Sequence, residues 1–258
     1  MAFDNDSRLA RYTRSGNPGL NDRTFSALPR PALADERMTL QGTVNKSFLL
    51  LVVLMGCALW PWSQYMSGNT AAVGPSILIG VVAGLILALI ISFKATLAPY
   101  LSLPYAACEG LAIGAFSAIL ERRYPGIAIQ AVALTFGVLA SMLLAYKTGL
   151  IRATQRFRAM VIGATGAVML LYLVSAVLGL FHVNVPFMYN SSTLSLGLSL
   201  VIIAIAALNL VLDFDLIESG VAQGVPRYME WYGAFGLLVT LVWLYLEILR
   251  FLAKTRSR

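Results

Sequence analysis

The sequence predicts an all-α, polytopic membrane protein, a bundle of seven transmembrane helices. Three observations lead there. Hydrophobic residues make up 59% of the 258 positions and charged ones only 12%, about half the charged share of an average globular chain. Seven apolar runs are each long enough to cross the hydrocarbon core, which takes about 20 helical residues. None of the runs has the period-two alternation of a barrel strand, and only helices and closed barrels satisfy every backbone group in lipid.

The runs lie near Ser47–Met66, Gly74–Phe93, Leu97–Leu120, Gly126–Tyr146, Ala159–Phe181, Leu194–Asp213 and Trp231–Leu252. They form a membrane domain over residues 43–258. Residues 1–42 read as a disordered basic tail, with Arg8, Arg11, Arg14, Arg23, Arg30 and Arg37 spread among Asn, Asp, Ser, Gly and Pro. Such a tail fixes orientation or lies on anionic headgroups. Its first forty residues are polar, so no secretory signal peptide is read there. Short connections make sequence neighbours antiparallel neighbours in space. Gly80 and Gly84 in the second run, and Ala106, Gly110, Gly114 and Ala118 in the third, are small residues at four-residue spacing. Such stripes let helix backbones approach closely. Aromatic residues gather near run ends (Trp60, Trp62 and Tyr65; Tyr100 and Tyr105; Trp231 and Tyr232; Trp243 and Tyr245), where interfacial belts are expected.

The net charge of +7 does not indicate nucleic acid, because the basic residues flank the apolar runs and fill the tail. With seven crossings, the N-terminal side collects thirteen basic residues. They are the six tail arginines, Lys46, Lys94, Lys147, Arg152, Arg156, Arg158 and Arg227. The opposite side collects six: Arg122, Arg123, Arg250, Lys254, Arg256 and Arg258. The positive-inside rule then makes the N-terminus cytoplasmic, in a bacterial inner membrane. The four basic residues at the C-terminus pull toward an even number of crossings, while run lengths and the weight of the first helices favour seven.

Cys57 and Cys108 lie inside apolar runs without metal spacing and read as reduced packing residues. His182 is the single histidine, so no zinc or haem site can be assembled, and no cofactor is expected. There is no phosphate-binding Gly-rich loop with Lys and no convergent hydrolytic set, so the chain does not read as an enzyme.

Acids within the spans are therefore the informative residues, since each is costly to place in lipid and tends to face the bundle interior or a water-filled path. Glu109 sits between Ala107-Cys108 and Gly110; one plain reading pairs it with Lys94. Asp213, Asp215 and Glu218 arrive within six positions at the end of the sixth run, Glu230 opens the seventh, and Glu247 stands alone near the opposite end. Asp213 and Asp215, two apart on a helix, project roughly 200° from one another, so only one can point squarely into a bundle. Asp215 shares a face with Leu208, Val211 and Glu218, Asp213 with Asn209, and Asp215 is taken as the inward, titrating residue. A solvated helix end followed by Ser219-Gly220 is the competing reading. These oxygens suit Ca²⁺, but a tight site takes six to eight of them. Only a weak transit site at Asp215 is expected.

The segments Glu109-Gly110-Leu-Ala-Ile-Gly114, Asn209 to Glu218, and Leu241-Val-Trp-Leu-Tyr-Leu-Glu-Ile-Leu-Arg250 resemble the Bax inhibitor-1 (transmembrane Bax inhibitor motif) family, in a bacterial branch with a long N-terminal tail. The similarity runs from about Met38 to Leu252. It implies seven helices with the last one central and wrapped by the other six. It also implies a pH-sensitive Ca²⁺ leak governed by paired aspartates on the last two helices near the cytoplasmic mouth. Phe214-Asp215 matches the sixth-helix aspartate of that pattern. The seventh-helix aspartate falls near Thr240, where no acid stands, and the basic partner that some relatives carry in the second helix is missing from Gly74–Phe93. Asp213, Glu109 and Glu230 are the acids that remain to work with Asp215. The resulting expectation is a pH-sensitive cation leak, with Ca²⁺ as the transported ion and the bilayer as surroundings. The alternative is a non-conducting regulator that binds another membrane protein, such as a protease or a stress or cell-death factor, through the tail.

Overall fold

The computed structural model describes residues 37–181 and 192–257. The basic tail up to residue 36 and His182 lie outside the described residues. Seven helices are long and apolar enough to cross a membrane. They are α1 Leu40–Met66, α2 Val73–Phe93, α3 Ala98–Arg123, α4 Ile127–Lys147, α5 Gln155–Leu180, α6 Thr193–Gln223 and α7 Met229–Arg256. No strand occurs among the described residues, only an isolated bridge between Arg37 and Pro226. Leu78, Ile129, Leu144 and Leu173 are more than 60% exposed. Apolar side chains on this scale belong against lipid rather than water.

The termini of the helices differ from the runs for local chemical reasons. α1 begins at Leu40, inside the segment read as tail, because Thr39 caps it by accepting a bond from the Gly42 amide (3.0 Å). α6 does not end at Asp213. It continues for ten more residues to Gln223 and stops at Gly224, which adopts the left-handed conformation (φ 64°) ahead of Pro226. The acids at 213, 215 and 218 therefore sit within a helix and not at a solvated end.

α7 is the central element. Its most apolar stretch is 61% buried, against 22% for α1, α2, α4 and α5. It packs against α1, α3, α4 and α6. Close backbone packing on α7 thus involves four of the six helices, with α2 lying on α3, and α5 lying on α6 and reaching α7 through side chains. Tyr105 of α3 meets Phe235 of α7 edge-on at 4.9 Å between centroids, at the middle of the core. Tyr105, Tyr232 and Tyr245 are buried, so these three belong to the interior and not to an interfacial belt. Tyr245 reaches Ser117 at 2.7 Å.

The small-residue stripes do what their spacing predicts. A Cβ at Gly110 would lie 2.3 Å from the Leu54 carbonyl oxygen, and one at Gly114 would lie 2.2 Å from that of Ala58. One at Gly80 would lie 2.5 Å from the Cys108 carbonyl. α3 is thereby held between α1 and α2 at backbone contact, where dispersion operates without hydrophobic help from water. Both cysteines are free thiols within this packing.

Gly110→Ala should force α1 from α3 and destabilise the fold by about 1–3 kcal/mol, read as a lower Tm in detergent. Gly137→Ala meets nothing within 4 Å and should leave Tm unchanged. Equal effects of the two substitutions would refute the close-packing account.

Candidate functional site

The stripe Ser195, Ser199, Ile202, Ala206, Asn209, Asp213, Leu216 and Gly220 follows helical three- and four-residue steps and is buried throughout. It is the face that α6 turns toward the core. Asp213 lies on it and is 1% exposed. Thr240 of α7, whose hydroxyl donates to the Gly236 carbonyl (3.3 Å), is the polar side chain beside its carboxylate, and Oδ2 has no partner. One turn deeper, Asn209 donates to Thr165 of α5 (2.7 Å) and to the Ile205 carbonyl (2.8 Å). The expected orientation is reversed: Asp213 points inward, and Asp215 occupies the other face.

Asp215 forms an ion pair with Arg158, in the first turn of α5. Arg158 is anchored in turn by donating from Nε to the Ala153 carbonyl (3.1 Å). Beside it, the Tyr146 hydroxyl at the end of α4 donates to Glu218. Asp215 thus meets a basic residue, and the ends of α4, α5 and α6 are joined around it.

Glu230 has a different role from the one its position suggested. Its carboxylate, 1% exposed, accepts from the Thr39 amide and hydroxyl (both 2.8 Å) and pairs with Lys46. A Cβ at Gly42 would overlap this carboxylate at 2.3 Å. Glu230 fastens the start of α1 to the start of α7 and does not face Asp215. The Met38 amide adds a bond to the Val225 carbonyl (2.7 Å), extending the fastening to the α6–α7 loop.

Glu109 is half-buried, with Tyr105 as its side-chain partner. It lies against α2, where a Cβ at Gly84 would be 3.1 Å from Oε1. Lys94 is exposed and does not pair with it among the described residues. Of the four candidate acids, only Asp213 and Asp215 share a neighbourhood, on opposite faces of one helix.

Glu247 is not alone. It is 2% exposed and accepts from Tyr172 of α5 (2.5 Å) and from Arg250 (3.0 Å), while Oε2 is unpartnered. Lys254, 8% exposed, donates to Ser199 at 2.9 Å. Fourteen residues separate Ser199 from Asp213 and Thr240 from Lys254, so a single antiparallel register of α6 and α7 produces both contacts. Polar groups therefore occupy both ends of the α5–α6–α7 interface. Among the described residues no three His, Cys, Asp or Glu side chains converge on a metal position.

Sequence reasoning missed the partners. A cation in the first turn of α5 opposes the helix dipole, and that was the available sign that Arg158 serves a carboxylate. The small and polar stripe on α6 was the sign for Asp213. Tyr172 offered none.

Comparison with known proteins finds no match among curated proteins and none among solved structures. The family model described as Bax inhibitor 1 like matches residues 5–257. With nearly the whole chain matched, and with seven membrane-length helices around a buried last one, the protein is an integral membrane protein that belongs to the Bax inhibitor 1 like family.

Proposed function

We propose that the protein is a pH-sensitive cation leak, with Ca²⁺ as the carried ion and the path running along the α5–α6–α7 interface. The observation that carries this reading is Asp213. A carboxylate 1% exposed at membrane depth, with one oxygen unpartnered, is costly to keep, and intramembrane acids of this kind mark ion or proton routes. Its hard oxygens, with the hydroxyl of Thr240, suit a dehydrating Ca²⁺ in transit and are too few to retain it.

The arrangement described is a closed one. Ala206, Leu210 and Leu244, each 0% exposed, fill the interface between its two polar ends, and a hydrated cation passes only if the helices part. The Arg158–Asp215 pair is the latch on the N-terminal face, which the distribution of basic residues makes the cytoplasmic one. The charged and titratable groups around Asp215 are Arg158, Tyr146 and Glu218. Protonation of Asp215 removes its attraction for Arg158, so the latch's contribution is present at high pH and is lost as pH falls. Opening is then favoured by acid. The regulator reading rests on the tail, whose first 36 residues lie outside the described residues, and no specific contact favours it.

Asp213→Asn should lower Ca²⁺ flux in proteoliposomes about tenfold, which corresponds to a barrier increase of about 1.4 kcal/mol. The same change should raise Tm, because it removes an under-satisfied buried carboxyl group. Unchanged flux would exclude Asp213 from the path. Asp215→Asn should raise flux at neutral pH to its acid level and flatten the pH profile. A profile like that of the wild type would mean that the Arg158 pair is no latch.

A further inference from the structure

α1 and α4 make almost no direct contact, although both pack on α7. A cleft therefore opens sideways between them with α7 as its floor. Its half on the N-terminal face is a cavity of about 670 Å³, and a second cavity of about 370 Å³ continues it toward the far face. Leu51 and Leu241 line both halves. Along α1 the linings run from Leu40 to Trp62, roughly 33 Å at 1.5 Å per residue, close to the hydrocarbon thickness.

The larger half has an apolar interior and a charged rim. Phe48, Leu139, Leu143 and Leu237 are among its walls, and Lys147 and Arg152 stand at its mouth. Both cations are exposed, and neither forms an ion pair among the described residues. Of the acids on the same rim, Asp215 is paired with Arg158, while Glu218 accepts from the neutral Tyr146 hydroxyl through one oxygen. The rim thus offers two unpaired cations, with Glu218 as its one carboxylate outside an ion pair among the described residues.

We propose that this cleft is a binding site for an anionic phospholipid of the adjoining leaflet. One acyl chain lies between α1 and α4, and the phosphate lies between Lys147 and Arg152. A zwitterionic headgroup fits less well, because its ammonium brings a third cation beside Lys147 and Arg152, with Glu218 as the one carboxylate there outside an ion pair. Another protein's transmembrane helix also fits less well. Helices associate in lipid through small residues, and Gly80, Gly84, Gly110 and Gly114 are already consumed within the bundle, whereas bulky side chains line the cleft. Basic residues beside a membrane surface attract anionic lipid in any case; what distinguishes this site is an acyl-sized slot directly beneath two unpaired cations.

The test is native mass spectrometry and thermal melting of the full chain in neutral detergent, with phosphatidylglycerol or phosphatidylcholine of the same acyl chains. The wild type should retain phosphatidylglycerol roughly tenfold better and gain Tm from it. The Lys147→Ala/Arg152→Ala double variant should lose this preference. Lys94→Ala/Arg156→Ala, which removes the same charge from the same face, should keep it. Leu139→Trp fills the slot without touching the charges and should also abolish retention, which covers the case in which the charge variant misfolds. Equal loss in both double variants would reduce the effect to general surface attraction and overturn the site. A Tm gain from inorganic phosphate equal to that from the lipid would overturn the acyl-chain component. Equal retention of phosphatidylcholine would overturn the headgroup assignment.

Discussion

A polar side chain placed in a bilayer must find its partner inside the protein, and the architecture of this chain is organised around that constraint. The last helix carries Glu230, Thr240, Glu247 and Lys254, all buried. Glu230 is satisfied by α1, Thr240 faces Asp213 of α6, Glu247 is held by Tyr172 of α5, and Lys254 by Ser199 of α6. Removing α7 from the centre would strand all four groups at once. Its central position is therefore a consequence of its polar residues as much as of its apolar ones. Thr240, Glu247 and Lys254 recur every seven residues, which keeps them on one side of a helix that crosses its neighbours at a small angle.

Much of this fold was legible because lipid simplifies the code. A run of about 20 apolar residues has few alternatives, and Gly80, Gly110 and Gly114 met backbone as their spacing required. What remained unreadable was rotational. Asp213 and Asp215 had to face opposite ways, but which of them faces inward depends on where α7 lies around α6. Leu208 and Val211 suggested one answer, since apolar residues look internal. In a membrane that inference loses force, because lipid accepts leucine as readily as a protein core does. The small and polar residues Ser195, Ser199, Asn209 and Gly220 mark the inner face better, and Asp213 lies among them. Partners such as Arg158 and Tyr172 depend on contacts 57 and 75 residues apart, a separation at which no sequence pattern speaks.

The inward place of Asp213 also alters what the sequence resemblance implied. A paired-aspartate arrangement brings two like charges together across the last two helices. Here the residue facing α6 at this level is Thr240, and its neighbour is Asp213, not Asp215. A hydroxyl opposite a carboxylate brings no like-charge repulsion. The charge that answers the acids comes from a third helix, through Arg158 of α5 to Asp215. The ion pair at this level therefore joins α5 to α6 and not α6 to α7, beside the end of α4, where Tyr146 also binds Glu218.

This redistribution separates the bundle into parts of unequal mobility. α1, α2 and α3 meet through glycines whose added Cβ atoms would approach backbone within 2.2–2.5 Å. Such contacts have no side chain to rearrange, so the three helices move together or not at all. α5 is different. It packs on α6, away from the crowded core, burying Val161 and Val168 beside three polar ties: Arg158 to Asp215, Thr165 to Asn209, and Tyr172 to Glu247. Polar ties of this kind can exchange one partner for another, or for water, at modest cost once water or an ion enters. The glycine contacts have no such substitute. The cheapest displacement in this molecule is therefore α5, with the adjoining end of α6, moving against a fixed α1–α2–α3 slab and its attached α7. That displacement would open the one interface in which Asp213 is buried.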